Sequence, residues 1–214
     1  MKAHKLPKLT VEEYVNYEIE SDTKYEYHDG KIYALGGGTL DHAIIRETLN
    51  HTIIRGTLNH STIGLNVNAE MRERFKNRGS DCQSFNNDIK LFIEFSNSYV
   101  YPDSMVICGE IEMGEKYKES VTNPVLIVEV LSKSTASYDR GDKFYMYRQI
   151  PSFKEYVLIE QDKYVVDVHY KSGNSDLWSI KRYEGLDSSV KFESLDIEIS
   201  MKDLYYKTKI TPSV

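Results

Sequence analysis

Apolar residues recur at helical spacing in two early stretches and alternate, or run on without a break, through most of the rest. Thr10 with Glu13 three residues later is the capping-box pattern, and Val11, Tyr14, Val15 and Ile19 fall behind it on one face. A short N-terminal helix over residues 10–19, packed on a sheet, is predicted. Lys24 to Leu35 alternates about His28-Asp29-Gly30, and Asp-Gly is a strong hairpin turn signal. Gly36-Gly37-Gly38 lacks the Gly-Lys-Ser/Thr ending of a phosphate loop and reads as a joint between hairpin and helix. Beyond it, Leu40, Ile44, Ile45, Leu49, Ile53 and Leu58 recur at helical spacing, which predicts the long amphipathic helix of the molecule.

The remaining chain reads mainly as strands. Thr62 to Met71 and Phe85 to Phe95 are two, separated by a polar stretch in which Arg72, Arg74, Lys76 and Arg78 alternate with other residues as an exposed strand and loop would. The Asn97-Ser98 turn leads into a strand from Tyr99 to Ile107, and Glu110 to Ser120 is charged enough to be a loop beside a site. Val125 to Leu131 is the most apolar stretch, as a central strand buried on both faces would be. Asp139 to Gln149 is predicted to be a helix that stops before Pro151. Strands follow at Glu155 to Ile159, Tyr164 to Tyr170, Trp178 to Tyr183 and Val190 to Phe192, and residues 202–206 suggest a last helical turn.

Composition narrows the class. A chain of 214 residues with 40% apolar and 28% charged residues can bury one good core, and no linker, repeat or low-complexity tract divides it. One domain is expected over residues 1–214, with the helix and hairpin in 1–38, a core in 39–160 and C-terminal strands in 161–214. The 17 tyrosines suit half-buried strand faces. A net charge of −6 argues against coating nucleic acid by bulk positive charge, though not against a local basic face or a bound metal. Cys82 and Cys108 are too few and too far apart for a zinc pattern. Reduced thiols in a cytoplasmic protein are expected, with a disulfide the alternative. No signal peptide and no membrane-spanning run is expected.

Two acids stand out against this pattern. Asp103 follows Pro102 at the head of a strand, and Glu129 lies inside an otherwise apolar run. A carboxylate there is costly to bury unless it meets a cation or several donors. Asp103 alone could cap a turn, and Glu129 could pair with Lys143 or Arg140. A metal held by Asp103 and Glu129, with Lys143 nearby, would satisfy both at once.

An acid after proline, a Glu in the next buried strand and a lysine close by resemble the PD-(D/E)XK nuclease superfamily. The stretches YPD, VEVLSKST, DRGDKFYMYRQIPSFKEYVLI and KYEYHDGKIYALGG are similar to the Uma family, bacterial proteins classed with restriction endonucleases. One position departs: the superfamily places its lysine two residues after the Glu, where this chain has Leu131, so Lys143 in the following helix becomes the candidate. The resemblance implies an α/β, restriction-endonuclease-like mixed sheet flanked by helices, with additional antiparallel strands at both ends. It implies a metal-dependent endonuclease hydrolysing phosphodiester bonds in DNA, with Mg2+ or Mn2+ held by Asp103, Glu129 and the Val130 carbonyl and assisted by Lys143. The alternatives are an inactive nucleic-acid-binding protein of the same fold, or a homodimer joined through a sheet edge with no ligand. Glu26, Glu70 and Glu47 are weaker metal candidates, His42 a weaker phosphate contact, and Tyr145 and Tyr147 candidates for stacking on bases. Arg72, Arg74, Lys76 and Arg78 could track a nucleic-acid backbone or form a solvated face.

Overall fold

The chain is seen here as a computed structural model, which describes residues 8–21, 24–35, 57–114, 119–133, 135–173 and 176–210. The expected long helix, its glycine joint, His42 and Glu47 lie outside the described residues. The first helix, α1 (Val11–Glu20), starts at Thr10 with both halves of the capping box in place. Strands β1 (Tyr25–His28) and β2 (Lys31–Ala34) form the expected hairpin. Asp29 and Gly30 both take positive φ at its tip, the conformation an Asp-Gly turn requires.

The next element corrects the sequence reading. Residues 62–71 are not a strand, and residues 72–78 are neither exposed strand nor loop. Both belong to one 21-residue helix, α2 (Leu58–Arg78), capped by the Thr57 side chain and ended by Gly79 in the left-handed conformation. Ile63, Val67, Met71 and Phe75 are its buried residues, four apart, which is a helical stripe. Its β-branched residues and the absence of a dense apolar face disguised it as a strand.

Two further expected strands are each split. Phe85 to Phe95 becomes the end of β3 (Cys82–Asn86), a turn, then β4 (Lys90–Ile93) and a 3₁₀ turn at Glu94–Ser96. Tyr99 to Ile107 becomes β5 (Ser98–Val100) and β6 (Ser104–Cys108), broken at Pro102, which has no N–H to continue a ladder. Two-residue β7 (Ser120–Val121) precedes β8 (Leu126–Leu131), every residue of which is buried. The predicted helix begins earlier than expected: α3 (residues 136–147) includes a π-type stretch at Asp139–Lys143. Strands β9 (Glu155–Glu160), β10 (Val165–Lys171), β11 (Trp178–Glu184) and β12 (Ser189–Phe192) follow as expected. The short β13 (Ile197–Ser200), not anticipated, pairs with β12 ahead of the turn α4 (Met201–Leu204).

The strands form a six-stranded sheet in the order β11-β10-β9-β8-β6-β3 and a five-stranded sheet in the order β2-β1-β5-β4-β7. The first is antiparallel except where β8 meets β9, so β8 is the interior strand expected of that apolar run. Side chains alternate across β8. Leu126, Val128 and Val130 join α2, β12 and β13 in one apolar cluster, whereas Ile127 and Leu131 join Tyr147 and Ile150 in another, with residues of the second sheet. A third cluster of Tyr14, Tyr25, Tyr27 and Tyr99 seats α1 on the smaller sheet. The expectation of reduced thiols is also corrected, because the β3–β6 register sets Cys82 opposite Cys108 and the two are joined as a disulfide. Among the described residues no helix is long and apolar enough to cross a membrane.

Candidate active site

Strand register places the two expected acids together. Ser104 lies opposite Val128 in the antiparallel β6–β8 pair, so Asp103, one residue earlier, stands across from Glu129. Glu129 shares the strand parity of Ile127 and Leu131 and therefore faces α3. There Lys143 Nζ donates to its Oε1 at 3.0 Å and the Tyr147 hydroxyl donates to the same oxygen at 2.8 Å. Asp103 is anchored in a matching way, its Oδ2 accepting the Val130 N–H at 2.7 Å and lying 3.3 Å from His60 Nε2. Each carboxylate is thus fixed through one oxygen. Among the described residues, the other oxygen of each accepts no hydrogen bond.

Further acids crowd the same lysine. Lys143 Nζ is 3.2 Å from Glu26 Oε1, supplied by β1 of the smaller sheet, and 3.5 Å from Asp139 Oδ1 one helical turn before it. Glu26, Glu129, Asp139 and Lys143 are all buried. Burial alone would lower the Lys143 ammonium, but Glu129 and Glu26 outweigh it and hold the group well above its ordinary value. Glu26, which burial would raise, is held down to about 2 by Lys143 and His28. Glu129 goes the other way, pushed up to about 8 by burial and by Asp139, Asp103 and Glu26 against the pull of Lys143. Asp139 is also raised, chiefly by burial. His60 is raised because its contact with Asp103 outweighs the burial that would lower it.

Four carboxylates therefore share one lysine and two histidines, His28 at Glu26 and His60 at Asp103, and burial together with the neighbouring acids raises Glu129. A divalent cation would fit those acids. Among the described residues no three His, Cys, Asp or Glu side chains close into a ready-made metal cage, but magnesium takes only one or two protein carboxylates and fills its shell with water and substrate. Asp103, Glu129 and Val130 line a cavity of about 1020 Å³ together with Asp139 and Lys143, so the acids face an open space rather than a closed core.

The weaker candidates separate. Glu26 reaches the site through Lys143. Glu70 does not, because it lies on α2 and pairs with Arg74. Arg140, offered as a partner for Glu129, instead bonds Glu160 and Asp167 at 2.8 and 2.9 Å. Tyr147 is buried against Glu129, while Tyr145 is exposed and meets Phe95 edge-on at 6.2 Å. Arg74 and Arg78 are tied to the carbonyls of Glu198 and Asp196. The sequence reading passed over His60 and used Asp139 only as the start of a predicted helix. His60 lay next to a misread strand, and the one signal for it was Thr57 three residues earlier as a cap.

A mixed sheet carrying two apposed carboxylates and a lysine from the following helix is a restriction-endonuclease-like architecture. The crystal structure of a protein from Anabaena variabilis titled a "putative nuclease belonging to DUF820" has the same fold, with a TM-score of 0.66 and 17% identity over 92% of this chain and 97% of that one. Residues 11–202 match the family model Uma2, described as "putative restriction endonuclease", and the chain belongs to that family. Two relatives from Synechocystis sp. are uncharacterised proteins. Slr1290 is 33% identical over 93% of this chain and 92% of its own length, and sll1609 is 32% identical over 88% and 95%.

Proposed function

We propose that this protein is a metal-dependent endonuclease that hydrolyses phosphodiester bonds in DNA, with Mg2+ or Mn2+ as its ion. The observation that carries the reading is the pair of half-anchored carboxylates beside a charged, buried lysine. Asp103, Glu129 and the Val130 carbonyl would hold the ion, which when bound activates water and neutralises charge on the phosphate. The Val130 N–H keeps Asp103 in position, and Tyr147 with Lys143 fixes the orientation of Glu129. Lys143 remains protonated, so it is no general base. Its ammonium orients the attacking water and stabilises the negative charge that grows on the phosphate oxygens. Membership of a family whose description reads "putative restriction endonuclease" supports the substrate class.

The test is cleavage of double- and single-stranded DNA, with RNA in parallel, in magnesium or manganese. Glu129→Ala and Lys143→Met should each lower the rate by about 10²-fold or more, the range for removing one preorganised charge-stabilising group, with circular dichroism unchanged. Cutting that persists undiminished in both variants would end this reading.

A further inference from the structure

A second cavity, of about 410 Å³, adjoins the active site and shares His60, Ser61, Asn87 and Asp103 with it. One wall is a face of α2 carrying His60, Gly64, Asn68 and Arg72, four residues apart, and the other includes Ser84 and Asn86 of β3, the edge strand of the large sheet. This face adjoins the buried stripe of Ile63, Val67, Met71 and Phe75, so the groove runs where the helix overhangs the sheet edge. Asn68 fixes that geometry, because its Oδ1 accepts from the Ser84 and Ser104 hydroxyls and its Nδ2 donates to the Gly64 carbonyl.

The lining chemistry differs from that of the site beside it. Among the described residues that line the groove, the single carboxylate is Asp103, at the shared mouth beside the His60 imidazole; the rest are amides, hydroxyls, apolar groups and one permanent cation. That cation, Arg72, makes no hydrogen bond or ion pair with a described residue, whereas Arg74 and Arg78 on the same helix are engaged elsewhere. Gly64 faces the groove with no side chain, and a Cβ there would meet nothing within 4 Å, so a bulky backbone can lie close to the helix.

Resting on the nuclease reading, we infer that this groove seats the DNA backbone flanking the bond to be cut, with Arg72 contacting a phosphate. Twelve residues of helix separate His60 from Arg72, a rise of about 18 Å. At about 3.4 Å per nucleotide along a duplex strand, that places the Arg72 contact roughly five steps from the phosphate at the active site. The amides of Asn68 and Asn86 and the hydroxyl of Ser84 line the path between them.

The experiment is fluorescence anisotropy of a labelled duplex of about 20 base pairs, two helical turns, titrated in calcium over a range of salt. RNA of the same sequence runs in parallel. Arg72→Glu should weaken binding roughly ten-fold and flatten the salt dependence by about one phosphate contact. Gly64→Leu should weaken binding with the salt slope kept, because it obstructs the groove without removing charge. Lys181→Glu on β11, at the opposite edge of the sheet, makes the same charge change and should bind as the unaltered chain does. If the unaltered chain binds DNA and Arg72→Glu loses no more than Lys181→Glu, the groove is overturned and the nuclease reading stands. If the unaltered chain binds neither DNA nor RNA, both fall, and binding of RNA alone overturns the groove as a DNA track.

Discussion

Glu129 carries the most information of any residue in the chain. Held up to about 8 by burial and by three neighbouring carboxylates, it is largely protonated at neutral pH, and a cation placed against its second oxygen must displace that proton. Magnesium or manganese binding should therefore release about one proton per ion near pH 7, visible as a calorimetric heat that scales with the ionisation enthalpy of the buffer. Glu129→Gln should remove the release. A binding heat independent of buffer would show that Glu129 is not a ligand. The sequence revealed this residue because a lone acid in an apolar strand needs a partner. It offered Glu26 only as one weaker candidate beside Glu70 and Glu47 and passed over His60, because both reach the site from elements far away along the chain and nothing local to either residue records that approach. Lys143 was placed by resemblance, since periodicity alone would have left it solvated.

At the level of elements, the legible parts were those with a local chemical signature: the capping box of α1, the Asp-Gly hairpin, the apolar run of β8. The least legible was α2. Threonine, valine and isoleucine in its first half favour strand pairing, and only tertiary burial of Ile63, Val67, Met71 and Phe75 decides for helix. Gly64 offers a direct check on that assignment. In a helix interior glycine costs about 1 kcal/mol relative to alanine, and an added Cβ here meets nothing within 4 Å. Gly64→Ala should raise stability by about 1 kcal/mol, a shift of about 2–4 °C in melting temperature for a chain of this size. No gain, or a loss, would argue against the helix at that position. The same substitution narrows the groove, so weaker DNA binding in a more stable protein is the joint expectation, a stability–activity trade-off.

For the whole molecule, the buried acids should set how stability depends on pH. Glu26 is lowered from 4.5 to about 2, so its contribution is present above pH 4.5 and disappears as pH falls through about 2. Glu129 is raised from 4.5 to about 8; its contribution is complete below pH 4.5 and is lost as pH rises through about 8. The raised Asp139 and His60 act in the same direction as Glu129. The metal-free protein should therefore be most stable in mild acid and lose melting temperature steadily toward pH 8. Because an ion bound at Asp103 and Glu129 stabilises the native state by mass action and favours the ionised carboxylate, magnesium should raise the melting temperature more at about pH 8 than at about pH 5. Glu129→Gln should flatten the alkaline decline even without metal, since the group that must ionise is gone. A metal-free melting temperature that holds level between those pH values would mean that Glu129 ionises without penalty, its charge fully met by Lys143 and Tyr147, and that burial and the neighbouring acids do not raise it.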